Sequence, residues 1–194
     1  MHFVISAQIS SSQHLAAVAL CDSESNRLVL YNHDSVVPVL KAPPRPDSID
    51  REAKMVNIQS TARHNVNWAN QAQEGWGTDS QIYNTLYHWV RCNMRGNEPH
   101  FWGWHASKQW SQLVSNCAWP FRGSRYHNVA TLPLLFGDSV EISTTDDVLA
   151  DVSTVRLEFM RYLSRLQGAV KLHSLIADIG KDTVNRKVGL SRDW

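Results

Sequence analysis

The run LAAVALC, residues 15–21, is apolar from end to end. It is far too short to span a bilayer, and a run that apolar reads as a central strand of a sheet. FVISAQIS (3–10) precedes it and RLVLYN (27–32), which alternates more, follows it. Asp22 to Asn26 supplies turn chemistry between the second and third strands. Three strands joined this tightly predict an antiparallel meander. Strand side chains alternate between faces, so Phe3, Ile5, Ala7 and Ile9 share one face of the first strand and Val4, Ser6 and Gln8 the other. The first is a core face. The second ends in two neutral polar groups that accept hydrogen bonds and carry no charge.

The rest of the chain alternates helices with short strands. VPVLKAPPRPDS, with prolines from Pro38 to Pro46, predicts an extended excursion within one domain, because proline fixes φ and removes donors. NVNWANQAQEGW (65–76) is expected to form a short helix from Asn65. TDSQIYNTLYHWV is expected to form a stronger one, since Thr78 and Gln81 fit a capping box and Ile82, Leu86, Trp89 and Val90 fall at helical spacing. HFWGW (100–104) reads as a buried strand. Ser107 then caps a predicted helix with Trp110, Leu113, Val114 and Cys117 on one face. YHNVATL is a short extended piece. TTDDVLADVSTVRLEFMRYLSRLQ (144–167) is the clearest helix, with Val152, Val155, Phe159, Tyr162, Leu163 and Leu166 in one stripe. VKLHSLIADIG predicts one more helix, ending at Gly180. This order predicts an α/β fold: a mixed five-stranded sheet with helices on both faces, in a single domain over residues 1–194, the order that ribonuclease-H-like folds use.

Composition narrows the function classes. A chain of 194 residues with 43% hydrophobic and 19% charged residues is globular, and its formal net charge of +1 carries no signature of a nucleic-acid or membrane partner. Cys21, Cys92 and Cys117 are odd in number and far apart, which predicts reduced thiols rather than a disulfide framework or zinc ribbon. No charged leader with a long apolar stretch and no apolar run of membrane-spanning length occurs. The expectation is a soluble, cytoplasmic protein, or one made in the cytoplasm of a host.

At this point the sequence resembles the DEDDh family of 3′–5′ exonucleases, in particular the ribonuclease T-like and phage exonuclease branches. HFWGWHASKQWSQL is similar to the family's Trp-rich strand leading into a helix, and RYHNVATLPLL to the short strand after it. DDVLADVSTVRLEFMRYL is similar to its His–Asp helix, and NVNWANQAQEGW to the Trp-containing helix before the second motif. The similarity spans most of residues 2–168 and rests on order and spacing together. Carried over position by position, it sets Ser6 and Gln8 at the family's Asp-x-Glu pair, Gln109 at the second Asp, Asp146 at the His, and Asp151 at the final Asp. Of these five groups only Asp151 is retained.

Such a site uses two Mg²⁺ or Mn²⁺ ions to activate a water and stabilise the leaving oxygen of a phosphodiester. Those ions need clustered carboxylates. Ser6, Gln8 and Gln109 offer only neutral oxygens. Asp146 is a poor base near neutral pH, its reference pKa being about 3.9. The resemblance therefore implies a dismantled site in which no catalytic residue and no cofactor are expected, with Asp151 the one position that could hold a metal.

Two other residue groups bear on binding. Arg122 and Arg125, in PFRGSRYH, are the nearest approach to a nucleic-acid-binding cluster, whereas Arg161 and Arg165 share a helix face with Glu158 and read as solvated. His100 and His105 do not make a convincing metal pair. Among the tryptophans, Trp89 and Trp110 sit on core faces, and Trp68, Trp76 and Trp119 are the candidates for an exposed surface. The leading expectation is an inactive exonuclease relative that binds nucleic acid or a protein partner, with homo-oligomer formation open and no membrane partner. The alternatives are an active Mg²⁺- or Mn²⁺-dependent exonuclease using Asp151 with displaced carboxylates such as Asp146, Asp147, Asp22 or Glu24, and a structural or assembly subunit.

Overall fold

The computed structural model describes residues 1–9, 15–35, 42, 44–45, 47, 72–94, 98–104, 113, 119–121, 123–143 and 147–189, with side chains of the last segment described to residue 174. The elements in chain order are β1 (His2–Ile9), β2 (Leu15–Asp22), β3 (Arg27–Asn32), β4 (Ala72–Gly77), α1 (Asp79–Asn93), β5 (His100–Gly103), β6 (Arg125–Asn128), the single turn α2 (Thr131–Leu134) and α3 (Val148–Gly189). The chain divides into two compact units, Met1–Glu158 and Phe159–Trp194. The first holds the sheet and the opening turns of α3; the second is the remainder of that helix with the chain end.

The strands form one sheet in the order β4-β3-β2-β1-β5-β6. β1–β2 and β2–β3 are antiparallel, with Ser6 opposite Ala19 and Ala19 opposite Val29. β5 adds to β1 in parallel, β6 to β5, and β4 to β3. β1 is thus interior, and every residue of β2 is buried, as its apolar run requires.

Cross-strand partners share a face, so the register sorts the core. One face carries Phe3, Ile5, Ala7, Val18, Leu20, Leu28, Leu30 and Phe101, which cluster with Ile82, Tyr83, Leu86, Trp89 and Val90 of α1. Thr78 caps α1 as its sequence predicts: its side chain accepts from the Gln81 backbone N–H while the Gln81 side chain accepts from the Thr78 backbone N–H. Asn32 ties β3 to this helix by donating to Leu15 O (2.8 Å) and Asp79 Oδ1 (2.6 Å).

The opposite face carries Val4, Ser6 and Gln8 of β1, Ala17, Ala19 and Cys21 of β2, and Arg27, Val29 and Tyr31 of β3. The first turns of α3 lie over it. Asp147 acts electrostatically on Tyr31 at one end, and Arg156 donates to Asp22 O (2.9 Å) and Ser23 O (2.8 Å) at the other. Alanines along β2 leave room for a helix at close approach, and Val148, Val152 and Val155, all buried, repeat at helical spacing. Burying each such valine is worth about 1.5–3 kcal/mol before entropy is deducted.

Several expectations are corrected. The sheet has six strands instead of five, because Ala72–Gly77, expected within a helix, pairs along the length of β3. Gly75 and Gly77 weaken a helix there, and the backbone hydrogen bonds of an open β3 edge favour a strand. Residues 65–71 lie outside the described residues. The extended piece at 126–132 ends at Asn128 and gives way to the α2 turn. The helix expected to stop near Gln167, and the separate one expected to end at Gly180, are one continuous element from Val148 to Gly189. Gly168 interrupts nothing, costing a helix only about 1 kcal/mol.

Candidate functional site

The described members of the predicted site share one sheet face or the helix above it. Ser6 and Gln8, both half-buried, point to the α3 side of β1. Asp151 is 7% exposed in the first turn of α3. Four helical residues separate it from Asp147, an axial advance of about 6 Å. α3 runs opposite to β3, from Tyr31 toward the Arg27 end, and Asp151 falls between the two. Gln109, Asp146 and Arg122 lie outside the described residues, as do Ser107, His105, Cys117, Trp68 and Trp110.

Of the carboxylates offered as displaced metal ligands, Asp22 and Asp147 accept hydrogen bonds from their own turns. Asp22 is 1% exposed and closes the β2–β3 turn: Oδ1 accepts from the backbone N–H groups of Glu24 and Asn26 (2.9 Å each), and Oδ2 accepts from Asn26 Nδ2 (2.8 Å). Asp147 Oδ1 accepts from the N–H groups of Leu149 and Ala150 (3.1 Å each), which makes it the N-terminal cap of α3. Glu24 is exposed. Glu74 on β4 was not singled out in the sequence; its row partner is Val29, and with Asp147 it faces Tyr31. Burial first, then these two charges, pushes the Tyr31 hydroxyl up to about 12. Among the described residues no group of three or more His, Cys, Asp or Glu side chains is arranged to hold a metal ion. Ser6 and Gln8 lack the charge a pair of divalent cations requires, so the described donors do not fit a two-metal centre.

Nearer the start of the parallel strands the same face carries a histidine–tryptophan cluster absent from the sequence expectations. Trp102 Nε1 donates to His2 Nδ1 (3.0 Å), and Trp102 stacks on His127 with centroids 4.4 Å apart. His100 Nδ1 and His127 Nε2 are 3.0 Å apart, with the rings parallel within 6°. Register explains the gathering: His2 pairs His100, and Trp102 pairs His127. All four residues are half-buried, and Arg125, the exposed first residue of β6, pairs His100 in the same face. Burial, then nearby positive charge, holds His2 and His127 below the ordinary histidine range.

Two tryptophans expected at the surface are buried. Trp119 packs among Tyr83, Phe101 and Phe121. Trp76 lies against Tyr31 (centroids 5.1 Å apart) with the Arg45 guanidinium over its ring. Arg161 and Arg165 flank the Tyr162 ring at 5.6 and 5.3 Å. Cys21 is a buried free thiol and Cys92 a half-buried one. No helix among the described residues is long and apolar enough to cross a membrane.

No protein-family model matches this chain, and no curated protein matches it at a significant level.

Proposed function

We propose that this chain is a relative of the DEDDh 3′–5′ exonucleases that has lost its metal site and binds a nucleic-acid strand without cleaving it. One observation carries the reading. Ser6 and Gln8, the positions the resemblance sets at the Asp-x-Glu pair, stand on the α3 side of an interior strand and bring no charge to it. The strand order supports it: setting β4 aside, β3-β2-β1-β5-β6, with an antiparallel meander continued by two parallel strands, is the order expected of a ribonuclease-H-like sheet. Replacing carboxylates by neutral groups removes repulsion toward phosphates, so binding survives where cleavage does not. Arg125 beside the ring cluster, with Arg122 nearby in sequence, supplies positive charge on the strand's path.

The test is fluorescence anisotropy with single-stranded DNA and RNA oligonucleotides, with and without Mg²⁺ or Mn²⁺, and a gel of the same samples. Saturable, salt-sensitive binding that needs no metal and releases no nucleotide is expected. Metal-dependent release that disappears in Asp151→Ala would establish the active-enzyme alternative. Absence of binding to either nucleic acid would leave a protein partner as the occupant.

A further inference from the structure

A pocket of about 230 Å³ opens where the β2–β3 turn meets α3, lined by Cys21, Ser25, Arg27, Ser153, Arg156 and Leu157. Its lining residues include two arginines and two serines, of which Ser153 donates its hydroxyl to Leu149 O (2.8 Å). Among the described residues neither guanidinium is in an ion pair. The carboxylate of Asp22, next to Cys21 in sequence, is turned into the β2–β3 turn, where three N–H donors occupy it.

Arg156 is held before any ligand arrives. Its Nε and Nη2 donate to the carbonyls of Asp22 and Ser23, which fixes the guanidinium plane and leaves Nη1 for another acceptor. Arg27 opens β3 opposite Cys21, so its side chain rises from the sheet on the α3 side. The Cys21 thiol brings no negative charge: burial above all pushes it up to about 11, so it stays protonated at neutral pH. Arginine presents paired donors that match the oxygens of phosphoryl groups. The volume is below the roughly 300–1,000 Å³ of pockets for drug-sized ligands. It suits one phosphoryl group with a small apolar portion against Leu157.

We infer that this pocket is a binding site for a small oxyanion of the phosphoryl class, held between Arg27 and Arg156. The inference stands apart from the exonuclease reading. A free phosphate ion and the terminal phosphate of a nucleotide share the chemistry, and the experiment separates them.

Inorganic phosphate is titrated into the full chain against sodium chloride at equal ionic strength, following melting temperature and the ³¹P line width. A ligand bound only by the folded state raises the melting temperature by mass action. Phosphate should raise it and broaden the resonance, and Arg27→Gln should weaken the apparent affinity tenfold or more. That variant leaves untouched the Arg156 bonds that hold the turn, so its loss of response is not a loss of fold; a far-ultraviolet spectrum checks this. Competition by a dinucleotide with a 5′-phosphate, compared with its 5′-hydroxyl form, distinguishes the sources. Tighter competition by the phosphorylated form assigns a terminal phosphate, and equal or weaker competition assigns the free ion. An identical response in the wild type and Arg27→Gln, or no line broadening in the wild type, overturns the proposal.

Discussion

Arg156 on the long helix and Asp22 at the end of β2 are joined across 134 positions of chain by a 2.9 Å hydrogen bond from Nε to the Asp22 carbonyl. The Asp22 side chain points the other way, into its own turn. One residue thus closes the turn with its carboxylate and anchors the helix with its backbone. Arg156→Met should cost about 1–3 kcal/mol, because two hydrogen bonds from a charged donor are lost while the apolar stem is kept. Urea denaturation measures it. An unchanged midpoint would mean that the helix is held by its valines alone.

The turn reading of Asp22 separates it from a metal ligand. Asp22→Ala strands two backbone N–H groups and the Asn26 amide, and should cost about 1–3 kcal/mol. Asp22→Asn keeps an acceptor at Oδ1 but presents a second donor to Asn26 Nδ2, and should cost less than the alanine variant. Neither should alter Mn²⁺ affinity. A fall in metal affinity with unchanged stability in both would return Asp22 to the metal-ligand role.

How much of this was legible depended on the range over which the physics acts. The apolar run of β2 and the Thr78–Gln81 capping box are local signals, and both elements form as read. β4 is a strand because β3 offers it an edge, a fact found dozens of residues upstream. The same non-local pairing buries Trp76 against Tyr31, and a ring cluster buries Trp119, where nearby predicted loops or short helices suggested exposure. His2, His100 and His127 meet only through parallel pairing of β1, β5 and β6, so no spacing in the sequence announces them. Ser6 and Gln8 could be assigned to one face from alternation alone; that α3 covers that face needed the long-range bonds of Arg156.

That histidine cluster sets a pH dependence. His2 and His127 are held low chiefly by burial, with added repulsion on His2 from the terminal amine, His100 and His127, and on His127 from His100 and Arg125. Below about pH 6.5 an unfolded chain takes up protons that these folded imidazoles resist, so stability falls as pH drops from that value toward their lowered pKa values, and above it this contribution is flat. Protonation at His2 Nδ1 also removes the acceptor for Trp102 Nε1. Melting temperatures at successive pH values should decline below pH 6.5 in the wild type and decline less in His127→Gln. A slope that is the same in both would place the titration elsewhere.

The central claim is that Ser6, Gln8, Gln109, Asp146 and Asp151 mark one dismantled metal site. The measurement that tests it most directly is calorimetric titration of Mn²⁺ into the wild type and into a variant carrying Ser6→Asp, Gln8→Glu, Gln109→Asp and Asp146→His together. If the five positions converge, the restored carboxylates act on one cation, and the variant should bind Mn²⁺ at least about tenfold more tightly, about 1.4 kcal/mol. Turnover need not return, since positioning groups around a metal site decide it separately. Equal Mn²⁺ affinity in two well-folded proteins would contradict the claim, because carboxylates scattered over the molecule add no shared site.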